Sequence, residues 1–283
     1  MTTALATDVD RELEEVIRIA RLAADRVSAI QAAGFTVELK APGDPVTRAD
    51  RESSEIICAG LARSFPGDAI VSEEAVPSSP AEVARLVSSP RVWFVDPLDG
   101  TREFSEGIPE FAVMIGLAVG GRPALGAVTM PPLEVTIAGR VGAQAFICDH
   151  ARGVRRPISV SEVSDPHEAT LYVSRSHRPP LVEALIEELG ILRVVASGSV
   201  GVKISCLVLG QGDLYVHDGG GAKLWDTCGP EAVLTAAGGR FSDLDGAPID
   251  YASADLVLRR GIVATNGPLH DEVLSACRKL ARA

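Results

Sequence analysis

One short stretch, residues 93–101, constrains this chain more than any other part of the sequence. Its apolar lead-in at 92–95 predicts a buried strand, which Pro97 is expected to end. Asp96 and Asp99 then lie three residues apart around an Asp-Pro-x-Asp-Gly turn, which the proline ring stiffens. The stretch therefore predicts two carboxylates held close together where a buried strand stops.

The residues within and after this turn extend the same prediction. Gly100 and Thr101 are typical of the start of a short helix, whose first N–H groups attract anions. In so stiff a turn we expect the Leu98 carbonyl to be left free. Carboxylates and a free carbonyl bind divalent cations, so the stretch predicts a site for metal and phosphate together. The alternative is a surface turn in which both aspartates cap backbone N–H groups.

Acidic residues occur at the ends of predicted elements in four places: Asp50, Glu73, the Asp96/Asp99 pair and Asp226. Each has an ordinary explanation when taken singly, as a helix cap, a helix-dipole partner or a solvated loop. Their joint placement favours a ligand site, because ligands of α/β sheets gather where strands end. Oxygen ligands without a set of His or Cys select Mg²⁺ rather than zinc. Two such ions can activate water against a phosphate ester.

Charge and composition exclude several other classes of protein. The net charge is −11 and no basic run is present, so we expect no nucleic-acid polymer as a partner. The five cysteines are widely spaced without a C-x-x-C pair, which predicts reduced thiols in a cytoplasmic protein. Neither an export leader nor an apolar run of about 18 residues is found, so we expect no membrane association.

Apolar periodicity predicts helices at 7–33 and at about 50–65, joined by a linker at 40–45. Short apolar runs between 69 and 147 predict a largely antiparallel sheet beside these helices. Polar and turn residues at 148–168 then indicate a boundary between two halves.

Beyond this boundary, strands and helices alternate, which predicts a second sheet flanked by helices and an α/β class overall. The strands are expected at 169–173, 191–196, 212–217 and 256–264, and the helices at 180–189, 200–209, 226–237 and 268–281. We divide the chain into an α+β half at 1–160 and an α/β half at 161–283.

Three of these motifs resemble the signatures of the inositol monophosphatase superfamily. They are Asp-Pro-Leu-Asp-Gly-Thr at 96–101, Glu-Glu at 73–74 and Trp-Asp at 225–226. The resemblance covers about residues 40 to 265. It implies a Mg²⁺-dependent, lithium-sensitive phosphomonoesterase with a layered αβαβα sandwich, in which two mixed or antiparallel sheets lie between helix layers.

Further details resemble the 3′(2′),5′-bisphosphate nucleotidases within this superfamily. They lie at 102–104, 174–177, 223–228 and 246–251. The resemblance implies as ligands of two or three Mg²⁺ ions Glu73, Asp96, Asp99, Asp226 and the Leu98 carbonyl. It implies Asp50 and Thr101 as the pair that activates water, and amides near Gly100 and Thr101 as phosphate donors. Nucleotide contacts are implied for Ser174, His177, Ser199 and Lys203.

The resemblance implies hydrolysis of the 3′-phosphate of adenosine 3′,5′-bisphosphate, or of its sulfated form, as the reaction. The expected partner is thus a small phosphorylated nucleotide. The protein itself is expected to be a monomer or a homodimer. Some superfamily members carry an arginine near residues 215–217, where this chain has Tyr-Val-His. An inositol or sugar phosphatase is the nearest alternative. A non-catalytic phosphate-binding regulator is the alternative from another class, and the intact Asp50/Thr101 pair argues against it.

Overall fold

The computed structural model describes residues 2–41, 44–175 and 178–281. The first elements are α1 (Thr2–Ala33), β1 (Val37–Ala41), β2 (Asp44–Thr47), α2 (Arg48–Ser64), β3 (Ala69–Ser72), α3 (Pro80–Val87), β4 (Arg91–Asp99) and α4 (Thr101–Glu106). Five strands follow, β5 (Ala112–Val119), β6 (Arg122–Met130), β7 (Val135–Arg140), β8 (Ala145–Asp149) and β9 (Val154–Ile158). The remaining elements are β10 (Thr170–Ser174), α5 (Pro180–Leu189), β11 (Arg193–Ser197), α6 (Val200–Val208), β12 (Leu214–His217), α7 (Leu224–Ala236), β13 (Arg240–Ser242), β14 (Ile262–Thr265) and α8 (His270–Leu280).

Two large sheets and three helix layers build most of the fold, beside the small β1–β2 sheet. A seven-stranded sheet runs in the order β3-β4-β5-β6-β7-β8-β9, and a five-stranded sheet in the order β11-β10-β12-β14-β13. Helices α1 and α2 share a hydrophobic core with one face of the larger sheet. Helices α6 and α7 lie in the core that contains residues of both sheets, and α5 and α8 pack on the smaller sheet. The predicted αβαβα sandwich is confirmed.

Helix α7 lies directly on the larger sheet because three glycines remove the side chains between them. A Cβ atom at Gly116 would lie 2.3 Å from the backbone nitrogen of Gly229, and one at Gly126 would lie 2.2 Å from its carbonyl oxygen. Backbone can approach backbone this closely only where no Cβ intervenes. This contact brings the first turn of α7, which carries Asp226, towards the larger sheet.

Several sequence expectations about elements were wrong. The predicted linker at 40–45 includes parts of the antiparallel β1–β2 hairpin. Strand β4 continues past Pro97 to Asp99, because the pairing with β5 shifts register between Asp96 and Asp99. Such a bulge accommodates a proline that lacks a backbone donor. Strands β9 and β13 were not predicted, and the strand expected at 256–264 begins only at Ile262.

The structure also bears on the expectations about the cysteines, about membrane-spanning helices and about the two halves of the chain. All five cysteines are unpaired, as predicted. No helix in the described ranges has the length and apolarity that crossing a bilayer requires. The larger sheet ends at Ile158 and the smaller sheet begins at Thr170, while one hydrophobic core includes residues of both sheets. The division into 1–160 and 161–283 stays a prediction.

Candidate active site

Asp50 is held at the start of α2 by a reciprocal cap. The Thr47 hydroxyl accepts the Ala49 N–H at 3.0 Å, and both the N–H and the hydroxyl of Thr47 donate to Asp50 Oδ2 at 2.7 Å. The other oxygen, Oδ1, accepts the Thr101 hydroxyl at 2.8 Å. Burial raises the pKa of Asp50, although the hydrogen bonds from Thr47 and Thr101 act in the opposite sense. The predicted pair of Asp50 and Thr101 is thus in direct contact.

The turn after the bulge of β4 is fixed by its own hydrogen bonds. Asp96 Oδ1 accepts the Leu98 N–H at 3.0 Å, and the Ser53 hydroxyl of α2 donates to the Pro97 carbonyl at 2.7 Å. The Leu98 carbonyl oxygen lies 3.0 Å from the Thr101 hydroxyl oxygen, so it shares with Asp50 Oδ1 the single hydrogen of that hydroxyl and is not wholly free, contrary to the expectation. A carbonyl oxygen has two lone pairs, and a second acceptor position therefore remains for a metal.

Gly100 follows this turn and precedes α4. Its φ of 88° lies in the left-handed region, and a Cβ atom there would lie 2.7 Å from the Glu110 carbonyl oxygen. Only glycine satisfies both conditions. The short helix predicted after the turn is confirmed and begins at Thr101.

Asp99 connects the turn to the second half of the chain. Its Oδ2 atom accepts the Ser199 hydroxyl and the Gly201 N–H, the latter at 2.6 Å. Ser199 also caps α6 by accepting the Val202 N–H at 3.0 Å. The first turn of α6 is therefore tied to the end of β4.

Glu73 and Asp226 approach from two further elements. Glu73 follows β3, and the Lys40 ammonium of β1 donates to its Oε1 at 3.0 Å and also to Glu74. Asp226 is the third residue of α7 and accepts the Lys223 N–H at 2.8 Å. It is therefore not the N-cap that the sequence suggested.

Glu73, Asp96, Asp99 and Asp226, hereafter the carboxylate site, act electrostatically on one another. Burial is the largest cause that raises the pKa of Asp96 well above its ordinary range, and the charges of the other three add to it. The pKa of Asp226 is raised in the same way, by burial and then by Asp99 and Glu73. The structure thus brings together the acidic groups that the sequence placed at separate element ends.

The chemistry of this donor set fits Mg²⁺. Four carboxylates and a carbonyl offer oxygen atoms only, and their mutual repulsion is relieved by a divalent cation. Among the residues that the structure describes, no three His, Cys, Asp or Glu side chains are placed so that they could hold a metal ion together. Each carboxylate instead accepts a protein donor: the Lys40 ammonium, the Leu98 N–H, the Ser199 hydroxyl or the Lys223 N–H.

Two of the residues predicted to contact the nucleotide form hydrogen bonds with other groups of the protein. Ser199 donates to Asp99, and Lys203 is only 1% exposed. The Lys203 ammonium donates to the Gly198 carbonyl at 2.7 Å and lies 5.1 Å from the centre of the Tyr215 ring. Burial lowers the pKa of Lys203 to about 8, against the attraction of nearby carboxylates.

The remaining nucleotide contacts are placed only in part. Ser174 ends β10 and is paired in register with Ser197 of the parallel strand β11. His177 lies outside the described residues. The roles assigned to Ser174, His177, Ser199 and Lys203 stay predictions.

Three contributors to the site were missed in the sequence. Thr47 had a local signal, because Thr-x-x-Asp before a helix is the spacing of a reciprocal cap. Lys40 and Gly201 had none, since each meets its acidic partner across a long separation along the chain, 33 residues for Lys40 and 102 for Gly201. Only the fold brings these donors to the carboxylates.

Fold and site together define a layered α/β protein with a carboxylate site where β3, β4 and α7 meet. Residues 5–282 match the inositol monophosphatase family, and the chain belongs to this family. It is an enzyme, a phosphatase of this family.

Named relatives cover most of the chain. It is 34% identical over 251 residues to the 3′(2′),5′-bisphosphate nucleotidase CysQ of Escherichia coli O157:H7, covering 88% of this chain and 97% of that protein. It is also 34% identical over 244 residues to the histidinol-phosphatase of Mycobacterium tuberculosis, covering 84% and 86%. The structure of an inositol monophosphatase from Anabaena superposes with a TM-score of 0.76 at 24% identity, covering 96% and 97%.

Proposed function

We propose that this protein is a Mg²⁺-dependent phosphomonoesterase that removes the 3′-phosphate from adenosine 3′,5′-bisphosphate. One observation carries the reaction type: four mutually repelling carboxylates lie in one site beside the hydrogen-bonded pair of Asp50 and Thr101. A site that only bound phosphate would not need this pair. The similarity to CysQ, a relative named for its bisphosphate nucleotidase activity, supports the choice of substrate.

The carboxylate site and the Leu98 carbonyl would hold two or three Mg²⁺ ions. Bound Mg²⁺ supplies a Lewis acid that offsets phosphate charge and makes water more acidic. Asp99 would serve as a ligand while Ser199 and Gly201 hold its Oδ2 atom, which fixes the orientation of the carboxylate.

The Asp50/Thr101 pair would accept the proton that the attacking water loses. The Thr101 hydroxyl donates to Asp50 Oδ1 at 2.8 Å, and its oxygen can in turn accept a hydrogen bond from water. A proton can therefore pass through the hydroxyl to the carboxylate. Because burial raises the pKa of Asp50, it is a stronger base than an exposed aspartate.

The substrate would lie between the two halves of the chain. Amides at Gly100 and Thr101 would donate to the phosphate being removed, while Ser174 and His177 would contact the nucleotide. Ser199 would act on the nucleotide while it remains bonded to Asp99, and the buried Lys203 would act on it mainly through its charge. A cation within an acidic site lowers the repulsion that an anionic substrate meets.

A substrate panel with Mg²⁺ tests the proposal. It should contain adenosine 3′,5′-bisphosphate, its sulfated form, inositol 1-phosphate and histidinol phosphate, each compared by kcat/KM. The first two should be the best substrates. Hydrolysis of only the small monoesters would overturn the nucleotidase assignment, and hydrolysis of none would overturn the phosphatase mechanism.

A second candidate is a phosphatase of small polar monoesters such as histidinol phosphate. The similarity to the histidinol-phosphatase of Mycobacterium tuberculosis, equal in percentage identity to that with CysQ, favours it. The same panel distinguishes the two.

A further inference from the structure

The segment between β13 and β14, residues 243–261, carries the Gly-Ala-Pro-Ile-Asp-Tyr motif at 246–251. The reaction scheme above uses none of its residues. The segment belongs to the second half of the chain, yet the Tyr251 N–H donates to the Gly121 carbonyl at 3.1 Å, in the turn between β5 and β6. The last residue of the motif is thus fixed to the larger sheet.

The side chain of Tyr251 reaches from β4 to α7. It is fully buried, and the centre of its ring lies 5.5 Å from that of Phe94 in β4. Its hydroxyl oxygen lies 2.6 Å from Glu231 Oε2 and 3.1 Å from Thr227 Oγ1, and both of these acceptors belong to α7. One side chain from outside both elements therefore connects the strand with the helix.

The residues that Tyr251 contacts lie next to two members of the carboxylate site. Phe94 and Asp96 are two residues apart in β4, so their side chains lie on the same face of the strand. Thr227 directly follows Asp226 in the first turn of α7. The position of Tyr251 therefore affects the spacing of the two carboxylates that approach from β4 and from α7.

The same segment also holds the start of α7 through its backbone. The Leu224 N–H donates to the Leu256 carbonyl at 2.9 Å, and the Leu258 N–H donates to the Ala222 carbonyl at 2.9 Å. These bonds fix the chain where it enters the helix, while the Tyr251 hydroxyl holds the helix itself from the side. The first turn of α7 is thus braced against both sheets.

We propose that Tyr251 is a positioning residue that sets the affinity for Mg²⁺ by fixing the distance between Asp96 in β4 and Asp226 in α7. The inference rests on the proposed function, in which both carboxylates are metal ligands. Ligands from two elements hold a cation tightly only if they already have the correct spacing, because moving them costs part of the binding free energy. The phenol sets that spacing from the core through its contacts with Phe94 and Thr227.

The test is a double-mutant cycle, read by calorimetric titration of the protein with Mg²⁺ in the absence of substrate. Tyr251→Phe keeps the ring and removes the hydroxyl, and Thr227→Val removes one of its acceptors with little change in size. Each variant should bind Mg²⁺ about 3- to 10-fold more weakly than wild type. The double variant should be no weaker than the weaker single variant, because both changes break the same contact. Thr227→Ser, which keeps the hydroxyl, should recover most of the loss.

Thr136→Val is the matched control for a general loss of stability. Thr136 is also fully buried, and its hydroxyl oxygen lies 2.9 Å from that of Thr129 and 2.7 Å from His150 Nε2. This variant removes a buried hydroxyl that contacts neither β4 nor α7. It should lower the midpoint of urea unfolding about as much as Tyr251→Phe does and leave the Mg²⁺ affinity at the wild-type value.

The other outcomes separate this inference from the proposed function. Wild-type Mg²⁺ affinity in Tyr251→Phe, additive losses in the double variant, or an equal loss in Thr136→Val would overturn the positioning role. A Tyr251→Phe variant that does not fold would also overturn it, because the hydroxyl would then be required for the core itself. A wild type that binds no Mg²⁺ would instead overturn the metal site of the proposed function, and this inference with it.

Discussion

Helix α7 carries two acids whose pKa values are raised in opposite settings. Asp226, in its first turn, is surrounded by like charges, since Asp99 and Glu73 raise its pKa beyond the effect of burial. Glu231 lies five residues further along and is only 5% exposed, and burial raises its pKa to about 8. The Tyr251 hydroxyl donates to Glu231 at 2.6 Å.

The comparison distinguishes an acid that belongs to the structural core from acids that are arranged for a function. Glu231 is neutral over most of the physiological range and has a permanent neutral partner in the core, so it needs no ligand. The carboxylate site holds several acids whose charges repel one another, so folding alone leaves it under repulsion. Acids in both regions have raised pKa values. What distinguishes them is the second cause, because neighbouring carboxylates raise the pKa values only at the carboxylate site.

Among the changes that distinguish the two regions, removal of the metal should have the largest effect on activity. A chelator should abolish phosphatase activity, by about 10³-fold or more, and added Mg²⁺ should restore it. The environment of Glu231 should not respond, because it offers no site for a cation. The check is an activity titration with Mg²⁺, and full turnover in metal-free buffer would contradict the mechanism.

The next largest effect should follow from Thr101→Ala. The variant removes the hydroxyl bonded to Asp50, and loss of a positioned proton acceptor typically lowers the rate about 10²- to 10⁴-fold. Mg²⁺ affinity measured by calorimetry should remain near wild type. Thr101→Ser is the matched control and should keep most of the activity. Loss of Mg²⁺ binding in Thr101→Ala would instead make the hydroxyl part of the metal site.

Glu231 should give the protein a pH-dependent stability. Its pKa rises from 4.5 in the unfolded chain to about 8 in the folded protein, so the folded state binds the proton more tightly. This stabilisation is complete below pH 4.5 and is lost as the pH rises towards 8. Urea unfolding from pH 5 to 8 should show the decline in wild type.

Glu231→Gln should flatten that decline, on the order of a few kcal/mol over the range, without changing kcat. The exposed Glu187→Gln variant is the control and should keep the wild-type slope. An unchanged slope in Glu231→Gln would mean that the buried acid is ionised and paired instead.

The smallest effect should come from Lys40→Gln. The ammonium of Lys40 donates to Glu73, an expected ligand, and both side chains are partly exposed, so the pair is worth at most about 1 kcal/mol. Without this competitor, Mg²⁺ affinity should rise, by up to about fivefold. Arg51→Gln, which breaks the exposed pair with Glu38, serves as the control. A weaker affinity in Lys40→Gln would show that Lys40 supports metal binding.

Local sequence determined the parts of this protein that depend on neighbours along the chain. The turn from Asp96 to Thr101, the cap between Thr47 and Asp50 and the glycine at position 100 are set by spacings of a few residues. Apolar periodicity likewise predicted most strands and helices and the layered class, since burial of one face imposes a period of 2 or 3.6.

Tertiary structure decided what the acids can do. Asp99 meets Gly201 across 102 residues, which no local pattern predicts, and only packing leaves Lys203 1% exposed. Pro97 remains within β4 because pairing with β5 allows a bulge there. Charge states depend on burial and on neighbouring charges, and both arise only when the glycines beneath α7 let that helix rest on the sheet. The residue types are thus written in the sequence, and their pKa values are set by packing.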